Sequence, residues 1–466
     1  MLTYSFENRN GMSLYEYLYT CIKDDILSFR LAPDEKLPSK RALAKYLDFS
    51  TITVESDYGQ LMEEGYIYSV PKSGFFVSHI ATSGSITEKN EEHFSDREKE
   101  SEDAFFADFV KNNAASDNFP FATWTKLMRE TMSDERKKLM VSSPSTGIYE
   151  LRKAIADYLL AFRGMKVSAD RIIIGAGTEY LYSLIIQLLG RSKRYALEDP
   201  GYRKIYHIYK ANEVDCVHVP LDRQGIDINM LEKSDADVLH ISPSHHFPTG
   251  IVTPVSRRYE LLSWASKSKE RYIIEDDYDS EFRLLGKPIP SLQSIDVLEK
   301  VIYINTFSKS LTPTIRISYM VLPEKLMKKY NEKLSFYSCT VANFEQYTLA
   351  SFIKRGYFEK HINRMRNFYR SQRDCLMETI KSHPCYEKVT VTEENSGLHF
   401  LLSIKKDLRD AELVKRANER GINVSCLGQY CFDSRNCKEH TLIINYSGIE
   451  KERMKEAVER LFEAVV

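Results

Sequence analysis

The sequence predicts a two-domain chain, with a small N-terminal domain of helices and one β-hairpin followed by a large α/β domain. Residues 14–77 show apolar side chains at helical spacing and then an alternating run interrupted by a turn. Residues 81–103 are polar and charged, and Ile86 and Phe94 are their only large apolar residues, so this stretch is predicted to be a linker. Residues 104–466 alternate short apolar runs with amphipathic segments of helix length, which is typical of a parallel sheet covered by helices.

Composition places the chain among water-soluble globular proteins. Of its 466 residues, 43% are hydrophobic and 28% are charged, and the net charge is −1. The bulk charge therefore does not favour a polyanion or a membrane surface as partner. No apolar run is long enough to span a bilayer, and the first residues lack the basic and apolar regions of a signal peptide. We expect a cytoplasmic protein that does not contact membranes.

The eight cysteines are scattered and form no CxxC pair, so free thiols are expected in a cytosolic chain. Cys431 and Cys437 lie near His440, but their spacing matches no common zinc pattern. We predict no metal site.

The N-terminal pattern predicts a helix-turn-helix with a β-hairpin wing. Residues 14–27 form a first amphipathic helix, and PSKRALAKYL opens a second with Ser39 as its cap. After the short turn DFS, a third helix covers residues 51–65, with Ser50 as its cap. The alternating run IYSVPKSGFFV, residues 67–77, turns at Pro-Lys-Ser-Gly. Two short helices joined by a tight turn are the arrangement that places a helix in the major groove of DNA.

Charge alone does not decide whether this domain binds DNA. Residues 1–80 contain eight Lys and Arg against eleven Asp and Glu, a net charge of −3. Lys36, Lys40, Arg41 and Lys45 nevertheless cluster at the expected docking face. A purely structural helical domain is the alternative at this point.

The sequence motifs favour DNA binding. LPSKRALAKYL, then S-x-x-T-V, then L-x-x-E-G-Y and a glycine-containing wing resemble the GntR-type winged helix over nearly the whole segment. One departure is Thr51, which stands where such domains usually have arginine. By this resemblance the candidate DNA contacts are Lys36, Ser39, Lys40, Arg41, Ser50, Thr51 and Thr53.

Five apolar runs of the large domain end in small or polar clusters. The runs are RIIIGAG, RYALEDP, ADVLHISP, RYIIEDD and VIYINTF. In sheets of parallel strands, ligands bind beyond the carboxyl ends of the strands. We therefore expect the five clusters to meet at one edge of the sheet.

Lys309 is the leading candidate within these clusters. It follows the apolar run VIYI, with Thr306, Ser308 and Ser310 around it and Arg316 seven residues later. A partly desolvated lysine can lose its proton and attack a carbonyl to form a Schiff base, and an arginine beside hydroxyls can clamp a phosphate. The alternative is an ordinary surface lysine.

Three more clusters have chemistry that fits beside Lys309. Gly177 and Thr178 open an apolar helix whose N-terminus can bind an anion, although a Gly-Ala-Gly run alone is more often just a tight turn. Asp276 follows a buried run and could keep an aromatic nitrogen protonated, whereas a surface acidic turn is the alternative. Tyr202 follows Pro-Gly and could stack on a planar cofactor or simply pack.

Together these motifs resemble the fold-type I aminotransferases, which carry pyridoxal 5'-phosphate. The resemblance covers residues 104–466 and rests on STGIYELRKAIADYLLAFRG, GAGTEYL, EDPGY, SPSHHFPTG, EDDYDSEFR and TFSKSLTPTIRISY. It implies that Lys309 forms the Schiff base, that Asp276 pairs with the pyridine nitrogen and that Tyr278 pairs with the phenolic oxygen. It further implies that Tyr202 stacks on the ring. The implied phosphate ligands are Gly177, Thr178, Thr306, Ser308 and Arg316.

Two departures weaken the case for ordinary transamination. Many of these enzymes carry Asn-Pro-Thr-Gly, but Phe247 precedes the proline here, with His245 and His246 before it. Many also carry an arginine that grips the substrate carboxylate, and Ile443 stands at that place in LIINYS. An effector would then be held by other groups, for which the candidates are Arg203, Lys204 and His207.

The order of the domains resembles the MocR/GabR subfamily of GntR-type regulators from end to end. The resemblance implies a regulator that binds double-stranded promoter DNA as a homodimer, head-to-tail with exchanged domains, and that uses pyridoxal phosphate as cofactor or signal. The effector would be an amine, an amino acid or the cofactor itself. Alternatives are an active aminotransferase with an appended DNA-binding domain, or a regulator whose cofactor site is inactive. The predicted parts are the DNA-binding domain 1–80, the linker 81–103 and the effector domain 104–466, with a large part about 140–325 and a small α+β subdomain from 104–139 and 326–466.

Overall fold

The structure is a computed structural model, and the chain divides into two compact units, Met1–Ser101 and Glu102–Val466. The described residues are 4, 12–80, 105–111, 118–284, 289–394, 397–406, 408–433, 435 and 437–466. The predicted linker, 81–103, lies outside them. In the part of the chain that is described, no helix is both long enough and apolar enough to cross a membrane.

The first unit contains three helices and a two-stranded antiparallel hairpin. Its elements are α1 Leu14–Leu27, α2 Lys40–Leu47, α3 Thr51–Glu63, β1 Ile67–Val70 and β2 Gly74–Val77. Apolar side chains from all of them form one core, which includes Leu18, Ile22, Leu43, Val54, Tyr58, Leu61, Ile67 and Val77.

Serine caps begin both α2 and α3, as the sequence predicts. Ser39 Oγ accepts a hydrogen bond from Ala42 N at 3.2 Å, and Ser50 Oγ accepts one from Thr53 N at 3.1 Å. Asp48 ends α2 in the left-handed region at φ +57°. Caps of this type satisfy amide groups that a helix start otherwise leaves without partners.

The second unit is built of strands and helices in alternation. Its strands are β3 Ala107–Asp108, β4 Ile172–Gly175, β5 Arg194–Asp199, β6 Asp215–Asp222, β7 Gly225–Ile226, β8 Val238–Ile241, β9 Tyr272–Asp276, β10 Val301–Thr306, β11 Ser318–Val321, β12 Val389–Thr392, β13 His399–Ile404, β14 Ile422–Asn423, β15 Ser425–Cys426 and β16 Thr441–Asn445. Its helices are α4 Phe121–Asp134, α5 Arg136–Leu139, α6 Tyr149–Arg163, α7 Thr178–Leu189, α8 Arg203–Ala211, α9 Ile228–Lys233, α10 Val255–Ser266, α11 Phe307–Ser310, α12 Glu324–Lys333, α13 Asn343–Lys354, α14 Tyr357–Ser382, α15 Asp410–Glu419 and α16 Met454–Val465.

The large sheet has the strand order β4-β11-β10-β9-β8-β5-β6-β7. The five predicted strands, β4, β5, β8, β9 and β10, all run in one direction, so their carboxyl ends share one edge. The sheet is nevertheless mixed, because β11 is antiparallel to both neighbours and β7 is antiparallel to β6. After β10 the chain turns back and forms β11 antiparallel to it. A parallel neighbour would require a crossover connection to the other end of the sheet.

Both faces of this sheet are covered by helices. Ile173 packs into a core with side chains of α7, α8 and α12, whereas Ile172 and Ile174 pack into the core on the opposite face with α6. A further core joins α9 and α10 to the strands in the middle of the sheet. This burial on two faces explains why the strands are continuous apolar runs in the sequence.

A second, antiparallel sheet has the order β12-β13-β16-β15. The short strand β3 pairs in parallel with β14, which ties residues near 107 to the C-terminal third of the chain. Ile443 lies in β16 opposite Leu401 and Ser425 and is buried.

Candidate functional site

The carboxyl ends of the parallel strands surround a cavity of about 420 Å³. Predicted site residues that line it are Thr178, Tyr202, Lys204, Asp276, Tyr278, Thr306, Ser308, Lys309 and Arg316. They come from segments up to 138 positions apart in the sequence, and the sheet brings them together because each follows a strand or a helix at the same edge.

Lys309 sits in α11, the single helical turn that follows β10. Thr306 Oγ1 accepts a hydrogen bond from Ser308 N at 3.2 Å and so caps this turn. Burial lowers the pKa of Lys309, while the carboxylate of Asp279 acts in the opposite direction. A lysine whose pKa is lowered has a larger fraction of neutral amine, which is the nucleophilic form.

Asp276 lies at the end of β9 with one carboxylate oxygen held and the other unpaired. Tyr182 Oη donates a hydrogen bond to Oδ2 at 2.5 Å, and His240 Nε2 lies 3.5 Å from the same oxygen. Oδ1 is buried and has no hydrogen-bond partner among the described residues. A buried carboxylate oxygen that lines a cavity and lacks a partner is an acceptor for a cationic N–H of a ligand.

The two acids on either side of Asp276 have structural partners instead. Glu275 accepts hydrogen bonds from Leu292 N at 2.7 Å and Gln293 N at 2.8 Å. Asp277 forms an ion pair with Arg163 at 2.9 Å, in which both side chains are almost fully buried. Side chains alternate between the two faces of a strand, and of these three acids at the end of β9 it is Asp276 that lines the cavity.

Gly177, Thr178, Ser308 and Arg316 form a cradle at one end of the cavity. Gly177 has φ +92°, and a Cβ there would lie 2.2 Å from Arg316 Nη2, so this position requires glycine. Thr178 is the first residue of α7, whose N-terminus carries free amide groups and a partial positive charge. Ser308 Oγ is buried without a hydrogen-bond partner among the described residues.

Aromatic side chains also line the cavity. Tyr202 is 48% exposed and packs edge-to-face on Phe247, with ring centroids 5.8 Å apart. Tyr430 and Phe432 reach the cavity from a distant loop whose backbone amides at 432 and 433 donate to Asp199. Tyr278 Oη lies 3.2 Å from His245 Nδ1, and His245 in turn lies 2.7 Å from Asp279.

Glu198 and His246 form a neutral pair in the floor of the cavity. Burial raises the pKa of Glu198 to about 8, although Ser242 N donates to it. Burial also lowers the pKa of His246 to about 3. Their side chains approach to 3.5 Å, but at neutral pH the carboxyl keeps its proton and the imidazole has none. They therefore line the site as polar, uncharged groups.

Three of the residues considered for effector or substrate binding lie outside the lining. Arg203 donates to Cys431 O at 2.9 Å and stacks over Phe432. His207 is exposed, and Ile443 is buried in its sheet. Among the described residues that line the cavity, the lysine and arginine side chains are Lys204, Lys309 and Arg316.

The predicted DNA-contact residues of the first unit differ in their exposure and in the contacts that they already make. Lys36, Arg41 and Thr51 are exposed. Lys40 forms an ion pair with Glu55 at 2.8 Å and lies over the ring of Phe75. The hydroxyls of Ser39, Ser50 and Thr53 take part in the helix caps.

The expectation of free thiols is wrong for two of the eight cysteines. Cys431 and Cys437 form a disulfide across six residues, with their Cα atoms 6.2 Å apart. Sequence spacing could not reveal this pairing, because a disulfide requires two Cα atoms close in space, and spacing alone does not give that distance. Elsewhere among the described residues, the remaining cysteines are free, and no cluster of His, Cys, Asp or Glu could hold a metal.

Comparison with known proteins agrees with both units. Residues 14–77 match the model of bacterial regulatory proteins of the gntR family, and residues 110–461 match that of class I and II aminotransferases. The HTH-type transcriptional regulator YdeL of Bacillus subtilis is 37% identical over 461 residues, covering 98% of both chains. The chain belongs to the MocR/GabR subfamily of GntR-type transcription regulators.

Further similarity supports the assignment to the MocR/GabR subfamily. The probable rhizopine catabolism regulatory protein MocR of Rhizobium meliloti is 28% identical, with 96% of this chain and 93% of that protein covered. The solved kynurenine aminotransferase of Pyrococcus horikoshii superimposes with a TM-score of 0.67 at 24% identity, covering 77% of this chain and 90% of that one. The latter likeness shows the fold of the second unit. The predictions of a GntR-type DNA-binding unit and a fold-type I aminotransferase unit are confirmed.

The cavity of this MocR/GabR-type regulator fits pyridoxal phosphate. Asp276 Oδ1 offers the acceptor that a pyridinium N–H needs, and Ser308 Oγ offers a donor for a phosphate oxygen. The turn at Gly177 leaves room against the backbone where a side chain would collide. Lys309 lies in the same cavity with a lowered pKa.

Among the lining residues without a predicted role, Tyr182 has a recognisable signal in the sequence, whereas the others do not. Tyr182 follows Thr178 by one helical turn, so helical spacing could have placed it on the same side of α7. His240 and Glu198 lie inside runs that otherwise read as buried strand. Tyr430 and Phe432 belong to a loop that only the tertiary fold brings to the cavity.

Proposed function

We propose that this protein is a transcription regulator whose second unit binds pyridoxal phosphate through Lys309 and thereby controls DNA binding by the first unit. The observation that carries the proposal is the cavity itself. It combines a buried lysine of lowered pKa, a carboxylate oxygen without a partner and an anion cradle, in a chain that also has a GntR-type DNA-binding unit. The regulated genes would belong to amino-acid, amine or vitamin B6 metabolism.

The site residues divide the work of holding the cofactor. Lys309 Nζ would supply the covalent attachment, Asp276 Oδ1 would accept a hydrogen bond from the pyridinium N–H and so keep the nitrogen protonated, and Tyr278 would pair with the phenolic oxygen. The phosphate would be held by Gly177, Thr178, Thr306, Ser308 and Arg316, and Tyr202 would stack on the ring. When bound, pyridoxal phosphate supplies an aldehyde that amines attack and a ring that accepts electrons. An amine effector competes with Lys309 Nζ for that aldehyde, and so occupancy of Lys309 reports the effector.

The effector proposal follows from the cations in the lining. Ile443 offers no partner for a carboxylate, and Lys204 is the cation that lines the cavity besides Lys309 and Arg316 among the described residues. This arrangement favours pyridoxal phosphate itself, or an amine or amino acid held through Lys204. Differential binding to two conformations of the protein would then shift the DNA-binding unit.

Arg41 and Thr51 are our proposed contacts to DNA in the first unit, with Lys36 and Thr53 beside them. Arg41 and Thr51 are exposed at the starts of α2 and α3, where a helix-turn-helix meets phosphates and base edges. An Arg41→Ala variant should weaken promoter binding and lower the slope of log affinity against log salt by about 1. Lys267→Ala, which removes a lysine paired with Glu232 in the second unit, is the matched control.

We propose that the protein is a cytoplasmic homodimer, head-to-tail with exchanged domains. Met140, Val141 and Phe344 expose apolar surface, and Asn343 Nδ2 donates to Val141 O, so these residues form one patch. Contiguous apolar surface of this kind is typical of interaction sites. Sedimentation of wild type and Met140→Glu tests it. A monomeric wild type, or an unchanged dimer in the variant, would count against this patch.

The decisive experiment compares wild type with Lys309→Ala. Wild type mixed with pyridoxal phosphate should develop a visible absorbance band, and its affinity for DNA from its own promoter region should change with the ligand. Lys309→Ala should lose both effects, while Lys267→Ala should keep them. An unchanged band and unchanged ligand response in Lys309→Ala would refute the assignment of this lysine.

A turnover assay separates the regulator from an active aminotransferase. Amino donors and keto acids are added to the purified, cofactor-loaded protein, and products are counted per protein chain. A regulator should release at most about one product per chain, because Ile443 leaves the substrate carboxylate without an arginine. Steady multiple turnover would instead establish an enzyme with an appended DNA-binding domain.

A further inference from the structure

We propose that Glu179 occupies the position of the cofactor's phosphate group, so that the cofactor binds by displacing Glu179 from Lys204 and Arg316. The inference rests on the proposed function and adds the residue that sets cofactor affinity. Glu179 then acts as an internal competitor, and its displacement releases Lys204 to bind another anion.

The contacts of Glu179 are those of a bound anion. Its Oε1 lies 2.5 Å from Lys204 Nζ, and its Oε2 lies 2.5 Å from Arg316 Nη2. All three side chains line the cavity that contains Lys309. Burial alone would raise the pKa of Glu179, but hydrogen bonds from Lys204, from its own amide and from Arg316 lower it to about 2. The carboxylate is therefore ionised throughout the physiological range.

The glycine turn shows that this carboxylate lies within the cradle. A Cβ placed on Gly177 would be 2.2 Å from Arg316 Nη2 and 2.8 Å from Glu179 Oε2. Both charged groups thus lie against the same backbone turn that opens α7. Ser308 Oγ, in the same cavity, is buried and has no hydrogen-bond partner among the described residues. One carboxylate satisfies the two cations but not the whole cradle.

Charge repulsion makes the two anions exclusive. A phosphate dianion beside an ionised carboxylate a few ångströms away would be repelled, because the two like charges would share the same two cations. Because Arg316 is a predicted phosphate ligand, binding of the phosphate requires it either to release Glu179 or to bind both anions at once. The displacement also breaks the Lys204–Glu179 contact, which joins the first turns of α7 and α8. Cofactor occupancy is thereby linked to the relative positions of these two helices.

The test measures affinity for pyridoxal phosphate and for pyridoxal in the cofactor-free full-length protein. Glu179→Gln should bind pyridoxal phosphate about tenfold or more tightly, because a charge-assisted competitor has been removed. Its affinity for pyridoxal, which lacks the phosphate, should not change. Glu232→Gln removes an acid that pairs with Lys267 at 2.5 Å outside the cavity, and it should behave as wild type with both ligands.

A second measurement distinguishes failure of this inference from failure of the proposed function. Inorganic phosphate should raise the melting temperature of Glu179→Gln more than that of wild type, even without the aldehyde. Equal or weaker binding of pyridoxal phosphate by Glu179→Gln would overturn the inference, because Glu179 would then be positioning Arg316. If Lys309→Ala keeps the visible band, the proposed function fails, but the phosphate measurement still decides the role of Glu179.

Discussion

Replacing Asp277 with Asn should destabilise the second unit without removing cofactor binding. Asp277 Oδ2 accepts hydrogen bonds from Arg163 at 2.9 Å, Tyr303 at 2.6 Å and Ser280 at 2.8 Å. Loss of the charge leaves the buried guanidinium of Arg163 without its acid. Removing one partner of a buried ion pair typically costs about 3–5 kcal/mol of stability. Arg163 keeps a bond to Ile289 O at 2.7 Å, so we expect about 3 kcal/mol, at the lower end of that range.

Adjacent Asp276→Asn is the matched comparison. Asp276 makes one hydrogen bond to Tyr182, and its other oxygen is unpaired, so its change should cost less than about 1 kcal/mol of stability. It should instead weaken pyridoxal phosphate binding by about tenfold or more, through loss of a charge-assisted hydrogen bond.

Thermal melting and cofactor titration of the two variants give the measurement. Asp277→Asn should melt about 4 °C below wild type, and Asp276→Asn should melt close to it. Equal melting temperatures, or a larger loss of cofactor affinity in Asp277→Asn than in Asp276→Asn, would contradict the division between a structural and a cofactor-facing acid.

Three other expectations concern stability and the cradle. Burial raises the pKa of Asp57 from 3.8 to about 7, and its carboxylate oxygens have no hydrogen-bond partner among the described residues. The stability of the first unit should therefore fall as pH rises from about 4 to about 7. Urea titrations at several pH values should show this fall in wild type and a flatter dependence in Asp57→Asn. Gly177→Ala should lower pyridoxal phosphate affinity while leaving DNA binding without ligand intact, because its Cβ would collide with Arg316; tight binding in the variant would exclude the cradle. Ser50→Ala should destabilise the first unit by about 1 kcal/mol in urea titrations, since the Thr53 amide loses its acceptor, and a neutral effect would mean that water replaces the cap.

Local signals explain which parts of the fold could be predicted. Ser39 and Ser50 mark helix starts, and the apolar run VIYI is typical of a buried strand. These elements therefore follow from the residues nearby in the sequence. The position of β11 does not, because this buried four-residue strand, SYMV, carries no information about its direction or its neighbours.

The site shows the same division. Lys309 and Asp276 follow buried strands, and their placement at one edge is a consequence of parallel order. The Glu179–Lys204 contact joins two helices that are 25 positions apart, and nothing in either helix specifies the partner. The backbone N–H of Phe432, whose side chain lines the cavity, donates a hydrogen bond to the carboxylate of Asp199, 233 positions away. Such long-range choices depend on the packing of the whole unit.

The antiparallel strand β11 determines which parts of the cavity can act as a fixed reference. In register, Thr306 of β10 faces Ser318 of β11, and Ser318 faces Gly175 of β4. These three residues lie side by side on neighbouring strands, next to the segments that carry Lys309, Arg316 and the glycine turn. Backbone hydrogen bonds between the strands therefore hold these parts of the cavity together. The loop around Phe432 is instead held by hydrogen bonds from its amides to the side chain of Asp199, so we expect ligand-dependent movement in this loop rather than between the strands.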